Sequence, residues 1–219
     1  MAKKVGVLLS GCGVYDGSEI HEAVLTLLFL DRAGVEIVCM APDMDQMHVI
    51  NHLTQAVSAE KRNVLVESAR IARGDIRDIK DVRVSDLDAL VIPGGFGAAK
   101  NLSDFAVKGA DAGVQAEVER LLQEMSAAGK PVGAICIAPA TMTKALATLK
   151  PEVTIGNDHG TAAAIEQMGG RHHNCTVEMI HVDRGNRLVT TPAYMLGPRI
   201  KDVAVGIEKL VEQIVAMIT

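Results

Sequence analysis

The hydrophobic residues of this chain follow two alternating patterns. Short continuous apolar runs, as expected for strands buried on both faces, occur at 5–9, 35–41, 89–92, 132–135 and 153–155. Longer stretches with apolar residues three or four positions apart predict helices at 19–33, 61–73, 114–128 and 200–218, and a further helix beginning at Pro139. Strands and helices that alternate with short connections predict a doubly wound α/β fold with a mostly parallel sheet.

Polar and glycine residues mark the boundaries of these elements. Ser18 is the predicted N-cap of the first helix, and Gly34 ends it. The region 43–86 is less regular and includes a short predicted helix at 47–53. Near the end, the segments 180–182 and 188–190 flank the turn 183–186 and predict a small β-hairpin. Because no repeat, linker or break in composition interrupts the chain, we expect a single domain over residues 1–219.

The composition excludes several classes of function. Apolar residues make up 48% of the chain and charged residues 22%, which excludes a disordered or fibrous chain. The net charge of −5 and the absence of Trp argue against nucleic acid as a partner. No apolar run reaches the ~18 residues of a membrane span, and the N-terminus turns polar and glycine-rich too soon for a signal peptide. The four cysteines form no CxxC pair, which favours the reducing cytoplasm.

The segment 130–140 contains the strongest candidate for a reactive residue. A predicted strand ends at residue 135, Cys136 follows, and a helix begins within two residues, with Ala134 and Ala138 on either side. Small neighbours around a residue at a sharp strand-to-helix turn are typical of a nucleophile elbow. The start of a helix also favours a thiolate, so a lowered thiol pKa is expected. The alternative is that Cys136 is only a small buried hydrophobic residue.

Two further regions are predicted to lie at the same edge of the sheet. The glycine-rich turn 93–97 follows another strand, so the backbone N–H of Gly95, together with that of Ile137, is predicted to form an oxyanion hole. Glu19 and Glu22 lie three residues apart at the start of the first helix, and we expect Glu22 to face the cleft as a proton carrier. Acidic residues in a first helical turn also complement the helix dipole, which is the simpler explanation.

Four motifs together resemble one known family. They are SEIHEAVLTLLFLDRAG in the first helix, IPGGFGAAKNLSD after a buried strand, GAICIAPA around Cys136, and LVTTPAYMLG before the last helix. With these motifs the chain resembles, from Lys4 to the final helix, the PfpI-type group of the class I glutamine amidotransferase-like superfamily. Within that group it resembles the ElbB glyoxalase branch. The resemblance implies a flavodoxin-like sandwich that carries a nucleophile elbow.

The resemblance also implies a function and a set of roles. Cys136 would be the nucleophile, Glu22 would hydrogen-bond its thiol and handle protons, and Gly95 and Ile137 would supply the oxyanion donors. Such a protein would be a glutathione-independent glyoxalase of the lyase class, converting glyoxal to glycolate without a cofactor. Some relatives act as deglycases on glycated protein, and homodimers are usual in the family.

The sequence departs from the family pattern in one respect. Related proteins often place a histidine soon after the strand that follows the elbow helix, whereas this chain has Asp158 and His159 close to that position. Both are auxiliary candidates, and the catalytic set would otherwise be a Cys136–Glu22 dyad. An amidotransferase needs a later His-x-Glu, and only the segment 181–183 in the predicted hairpin approximates it. Glutaminase activity is therefore not expected.

Other constellations give weaker signals. His48 and His52 are four residues apart but have no third ligand at the required spacing. His172, His173 and Cys175 lie close together in a polar turn and are only a weak metal candidate. The glycines after the first strand do not match the spacing of a dinucleotide-binding loop, and no acidic residue follows at the expected place. The sequence therefore predicts neither a metal nor a cofactor.

Two hypotheses of different classes result. The first is a cofactor-independent glyoxalase that uses Cys136 and Glu22 on a small dicarbonyl substrate or on glycated protein. The second is a non-catalytic redox-sensing or chaperone-like partner protein in which Cys136 is oxidised. Both are expected to be cytoplasmic homodimers that bind neither nucleic acid nor membranes.

Overall fold

Nine strands form two sheets in the part of the chain that the structure describes. The structure is a computed structural model that describes residues 3–218. Within that range the strands are β1 (Lys4–Leu8), β2 (Glu36–Ala41), β3 (Arg77–Asp78), β4 (Ala89–Ile92), β5 (Val132–Ile135), β6 (Glu152–Gly156), β7 (Arg171–Asn174), β8 (His181–Asp183) and β9 (Leu188–Thr191). The main sheet has the order β3–β2–β1–β4–β5–β9–β8, and β6 pairs with β7 separately. In the main sheet β8 pairs antiparallel with β9, and every other pair is parallel.

Helices cover both faces of the main sheet. They are α1 (Ile20–Arg32), α2 (Val64–Ile71), α3 (Phe96–Lys100), α4 (Phe105–Lys108), α5 (Ala116–Ala127), α6 (Ala138–Ala145), α7 (His159–Gln167) and α8 (Ile200–Met217). Buried residues of α1, α2 and α8 pack on one face, and those of α3, α5, α6 and α7 pack in the cluster on the other. The doubly wound α/β fold expected from the sequence is confirmed.

The apolar strands explain this layering. In β1, Val5 and Val7 pack towards α1 and α8, whereas Leu8 packs towards α5 and α6. All residues of β4 and β5 are buried, as expected for central strands covered on both faces. Burying a large aliphatic side chain stabilises the fold by about 1.5–3 kcal/mol, so these strands fix the sheet. Their carboxyl ends therefore lie side by side on a rigid edge.

The predicted cap of α1 is wrong by one residue. The N-cap is Glu19, whose Oε2 accepts a hydrogen bond from the backbone N–H of Glu22 at 2.7 Å. The Ser18 hydroxyl instead accepts from the backbone N–H of Ser10 at 2.9 Å. Because that serine links the first turn to the end of β1, it is not free to cap the helix.

The predicted helix at 47–53 is also wrong, since this segment is irregular. Its backbone donors are bound by side chains from elsewhere in the chain. Asn101 Oδ1 accepts from Met47 N–H at 2.9 Å, and Asp16 Oδ2 accepts from Ile50 N–H at 2.7 Å. Tertiary hydrogen bonds thus replace the helical ones.

The pairing of the strands β6 to β9 differs in part from the prediction. The hairpin of β8 and β9 forms as expected, and β9 extends the main sheet beside β5. The predicted strand at 153–155 is β6, which lies outside the main sheet and pairs with β7. Neither β7 nor α7 was expected, because β7 contains no apolar residue and α7 buries only Ile165.

Every helix within residues 3–218 is too short or too polar to cross a membrane.

Candidate active site

Cys136 occupies a sharp turn between β5 and α6. Its φ is +61°, a left-handed conformation that non-glycine residues rarely adopt. The backbone N–H of Cys136 donates to the carbonyl of Thr191 at 2.9 Å, which ties the turn to the end of β9. Pro139 lies in the first turn of α6, where its missing N–H costs nothing. This geometry is that of a nucleophile elbow.

Glu22 lies beside Cys136 with no exposure to solvent. Its Oε2 accepts from the backbone N–H of Gly94 at 2.9 Å, and its Oε1 accepts from that of Tyr194 at 3.2 Å. The same carboxyl group is hydrogen-bonded to the Cys136 thiol. Helix α1 thus delivers a fully buried acid to the elbow, and backbone groups from two other segments hold it in place.

Two backbone N–H groups are directed at the sulfur of Cys136. They belong to Gly95 and Ile137, the residues that the sequence predicted as oxyanion donors. Gly95 has a φ of +91°, and a Cβ there would lie 2.3 Å from the backbone nitrogen of Glu19. Only glycine therefore lets this turn approach the start of α1. The structure brings Cys136, Glu22, Gly95 and Ile137 together.

Burial dominates the acid–base properties of the pair. It raises the pKa of Glu22 to about 8, with a further contribution from the nearby charge of Glu19. Burial and the Glu22 carboxylate likewise raise the pKa of Cys136 well above its usual value, although the Gly95 and Ile137 N–H groups act in the opposite direction. The lowering expected from the helix start is therefore wrong, because burial outweighs it.

The raised pKa of Glu22 has a chemical consequence at neutral pH. A glutamic acid with a pKa near 8 is mostly protonated at pH 7. A neutral Glu22 no longer repels a Cys136 thiolate and can donate a hydrogen bond to the sulfur. Because the pKa of the Cys136 thiol is higher still, the thiol keeps its own proton at pH 7, and a Cys136 thiolate forms when the minor carboxylate form of Glu22 accepts that proton.

A cavity of about 420 Å³ opens beside Cys136. Its lining is mostly apolar and consists of Val14, Glu19, Gly95, Phe96, Ala99, Phe105, Ala106, Cys136, Ile137, Asp158, Thr161, Tyr194 and Met195. Of the two auxiliary candidates, Asp158 is in this lining, where it also caps α7 by accepting from Thr161 N–H at 2.8 Å. His159 is exposed and lies outside the lining, so the lining includes no histidine among the described residues.

Comparison with known proteins places this arrangement in a family. The model of the DJ-1/PfpI family matches residues 7–192, from the end of β1 through the elbow to just after β9. The chain belongs to the DJ-1/PfpI family. This family lies within the class I glutamine amidotransferase-like superfamily, so the PfpI-type resemblance seen in the motifs is confirmed.

Relatives of this DJ-1/PfpI chain have several names. A human protein called glutamine amidotransferase-like class 1 domain-containing protein 3, mitochondrial, is 47% identical over 99% of this chain and 84% of its own length. The rat ES1 protein homolog, mitochondrial, is 46% identical over 98% of this chain and 84% of its own. A crystal structure from Ehrlichia chaffeensis, an isoprenoid biosynthesis protein with an amidotransferase-like domain, has a TM-score of 0.94 and 41% identity, covering both chains fully. The ElbB glyoxalase branch stays a prediction.

Sequence reasoning missed part of the site of this DJ-1/PfpI protein. Tyr194 lines the cavity, and its backbone N–H donates a hydrogen bond to Glu22. The hydroxyl oxygen of Tyr194 lies 2.7 Å from Nδ1 of His21. Glu19 also lines the cavity, where burial raises its pKa. The motif LVTTPAYMLG contains Tyr194, so that motif was the available signal. The motif indicated the family but not the contact between Tyr194 and Glu22.

Gly94 offers a direct test of how tightly the site is packed. A Cβ at this position would lie 2.4 Å from Cys136 Cβ, 2.6 Å from Glu22 Oε2 and 2.9 Å from the Ile135 carbonyl oxygen. We expect Gly94→Ala to lower the free energy of unfolding by about 1–3 kcal/mol, as overpacking does, and to separate the Cys136–Glu22 pair. Urea denaturation and the rate of thiol alkylation measure the two effects.

The matched control for this substitution is Gly113→Ala. Gly113 is exposed, and a Cβ there would have only Asp104 Oδ1 near it, at 4.0 Å. Gly113→Ala should change neither the free energy of unfolding nor the rate of thiol alkylation. Equal stability of Gly94→Ala and the wild type would contradict the close contact of Gly94 with Cys136.

Proposed function

We propose that this protein is a cofactor-independent glyoxalase that converts glyoxal and water to glycolate. The observation that carries the proposal is the buried Cys136–Glu22 pair, with the N–H groups of Gly95 and Ile137 at the sulfur. It supplies a nucleophile, a proton carrier and two oxyanion donors beside one cavity. The proposed substrate class includes the glyoxal-derived adducts of glycated protein, since they carry the same carbonyl chemistry.

The first step would be addition of the Cys136 thiolate to one aldehyde carbon of glyoxal. The carbon–sulfur bond forms, and the electron pair of the carbonyl moves to oxygen. The N–H groups of Gly95 and Ile137 lie at the sulfur and therefore next to that oxygen, where they stabilise its charge. Protonated Glu22 then gives its proton to the oxygen, leaving a neutral hemithioacetal and a Glu22 carboxylate.

The second step would move a hydrogen between the two carbons. The Glu22 carboxylate removes the proton from the hemithioacetal carbon, forming an enediol, and returns a proton to the neighbouring carbon. The product is a thioester of Cys136, which water hydrolyses to glycolate and the free thiol. A pKa of about 8 suits Glu22 to both halves of this transfer, because it can give and accept a proton near neutral pH.

The cavity is compatible with this substrate class and with larger members of it. Glyoxal has only a few non-hydrogen atoms, whereas the cavity has a volume of about 420 Å³. Phe96, Phe105 and Met195 provide apolar lining beside the cysteine. Dicarbonyls with an apolar substituent therefore also fit, and phenylglyoxal is the natural second substrate to assay.

Glutamine hydrolysis is less well supported, although the human relative is named amidotransferase-like. It needs a histidine base next to the cysteine. The nearest match in this chain to the His-x-Glu motif of amidotransferases is His181 with Asp183. Both residues lie on β8 and outside the cavity lining.

The test of the proposal is glycolate formation from glyoxal by the purified full chain, without glutathione and with a metal chelator present. Nuclear magnetic resonance identifies the product. We expect turnover, and we expect Cys175→Ser to keep it, because Cys175 lies outside the cavity lining. A folded wild-type protein that forms neither glycolate from glyoxal nor mandelate from phenylglyoxal would overturn the proposal and favour the redox-sensing role.

Three expectations from the sequence stay predictions. They are the homodimer, the cytoplasmic location and the absence of nucleic-acid or membrane partners. The human and rat relatives are named mitochondrial, so location is a point to measure.

A further inference from the structure

Three potential metal ligands meet on strands away from Cys136. Glu152 begins β6, His173 lies on β7 and His181 begins β8. Their ligand atoms all lie within 4.8 Å of one another. The two imidazole rings stack with centroids 4.1 Å apart and planes 11° apart, and the Nε2 atom of each lies within 3.5 Å of the same Glu152 oxygen. No member of this cluster belongs to the lining of the cavity beside Cys136.

The spacing of these atoms matches a tetrahedral ion. Oε2 of Glu152 lies 3.2 Å from Nε2 of His173 and 3.5 Å from Nε2 of His181. In a tetrahedral zinc site with bonds of about 2.0–2.1 Å, neighbouring ligand atoms are about 3.3 Å apart. Two of the three separations match this value, and the third, between the two histidine nitrogens, is at most 4.8 Å, so the three atoms can converge on one ion.

The two histidines have no other partner at these atoms. Both Nε2 atoms are buried and neither makes a hydrogen bond, although the carboxylate oxygen is close. The ring nitrogens are therefore not aimed at that oxygen. A buried polar atom without a partner is unfavourable, and an ion bound by both rings would give both nitrogens a partner.

Neighbouring groups hold Glu152 in position for binding. Arg171 Nη1 donates to Oε1 of Glu152 at 3.0 Å, which leaves Oε2 for the histidines. Asp183 Oδ2 accepts from the backbone N–H of Glu152 at 2.9 Å, and its negative charge offsets that of Arg171. Such supporting contacts are typical of metal sites, where they orient the ligands.

We propose that Glu152, His173 and His181 bind one divalent transition-metal ion, for which zinc is the best match. Two imidazoles and one carboxylate suit zinc and its neighbours rather than calcium or magnesium. Three protein ligands leave a fourth position for water. The bound ion joins the β6–β7 sheet to the edge strand β8 of the main sheet. The sequence predicted no metal because the three ligands come from separate strands.

Zinc chloride titrated into the chelator-treated full chain, in competition with a chromophoric chelator, tests this site. We expect one zinc ion per chain in the wild type and affinity lower by at least about tenfold in His173→Gln and in His181→Gln. His159→Gln is the matched control, because His159 is exposed and outside the cluster, and it should bind like the wild type. Circular dichroism establishes that each variant is folded.

Cobalt and thermal unfolding provide readouts that do not depend on affinity alone. Cobalt in the wild-type site should show the intense visible bands of a tetrahedral ion and no thiolate charge-transfer band. Zinc should raise the Tm of the wild type and not that of the double variant His173→Gln/His181→Gln. Wild-type affinity in that double variant, a thiolate band, or the absence of one-to-one binding would each overturn the proposal.

Discussion

Serine in place of Cys136 is expected to lower the rate of glycolate formation from glyoxal by about a thousandfold or more. The reason is chemical rather than structural. Serine fits the same left-handed turn and can keep the N–H···O bond to Thr191, but its hydroxyl does not ionise beside Glu22. Initial rates of the two proteins at matched concentrations, with glycolate quantified, measure the effect.

Cys175→Ser controls for the loss of a thiol elsewhere. Cys175 is free and partly exposed, and its replacement should leave the rate unchanged. Thermal unfolding of both variants shows whether the fold is kept. A Cys136→Ser protein with more than a small fraction of the wild-type rate would show that the sulfur is not the nucleophile.

Glutamine in place of Glu22 is expected to change how stability depends on pH. The pKa of Glu22 is about 8 in the folded protein against 4.5 for the unperturbed group. A raised pKa in the folded state gives stability that is fully present below pH 4.5 and is lost as the pH rises through 8. From about pH 5 to about pH 8 this loss amounts to about 3–4 kcal/mol, which Glu22→Gln does not undergo.

The measurement is the free energy of unfolding of both proteins by urea across this pH range. The glutamine amide has one acceptor oxygen, so one of the N–H groups of Gly94 and Tyr194 loses its partner. That cost does not vary with pH. The difference between variant and wild type should therefore grow with pH in favour of the variant.

Glu212→Gln is the control, because Glu212 is exposed on α8. It should keep the pH dependence of the wild type. If Glu22→Gln kept the pH dependence of the wild type as well, Glu22 would not be protonated at neutral pH, and its role as a proton carrier with a raised pKa would be wrong. The same variant should also lose glyoxal turnover by about a hundredfold or more, since no proton carrier remains.

The parts of the fold that the sequence predicted well depend on local patterns. Strands β4 and β5 are continuous apolar runs next to a proline, which follows β4 and precedes β5, and both have the predicted limits. The elbow at Cys136 follows from small residues and a proline within a few positions. Gly95 and Ile137 were placed next to Cys136 because the carboxyl ends of parallel strands share one edge of the sheet.

The parts that the sequence missed depend on contacts between distant residues. Tyr194 reaches Glu22 only because β9 lies next to β5, and nothing near Tyr194 in the sequence indicates this. The direction of the thiol pKa shift was missed because it depends on how deeply Cys136 is buried, with only 8% of its surface exposed. His173 and His181 were judged by their neighbours in sequence, whereas their partner is Glu152 on another strand.

The hydrogen bond from Tyr194 to Glu22 also bears on the order in which the molecule matures during synthesis. The ribosome makes Glu22 and Cys136 well before Tyr194, and the backbone of Thr191, which receives the Cys136 N–H, comes equally late. A nascent chain that has not yet emerged to this point holds its thiol in an incomplete turn beside an unanchored carboxyl group. The complete catalytic geometry, and with it turnover of glyoxal, should therefore arise only when β9 has docked beside β5.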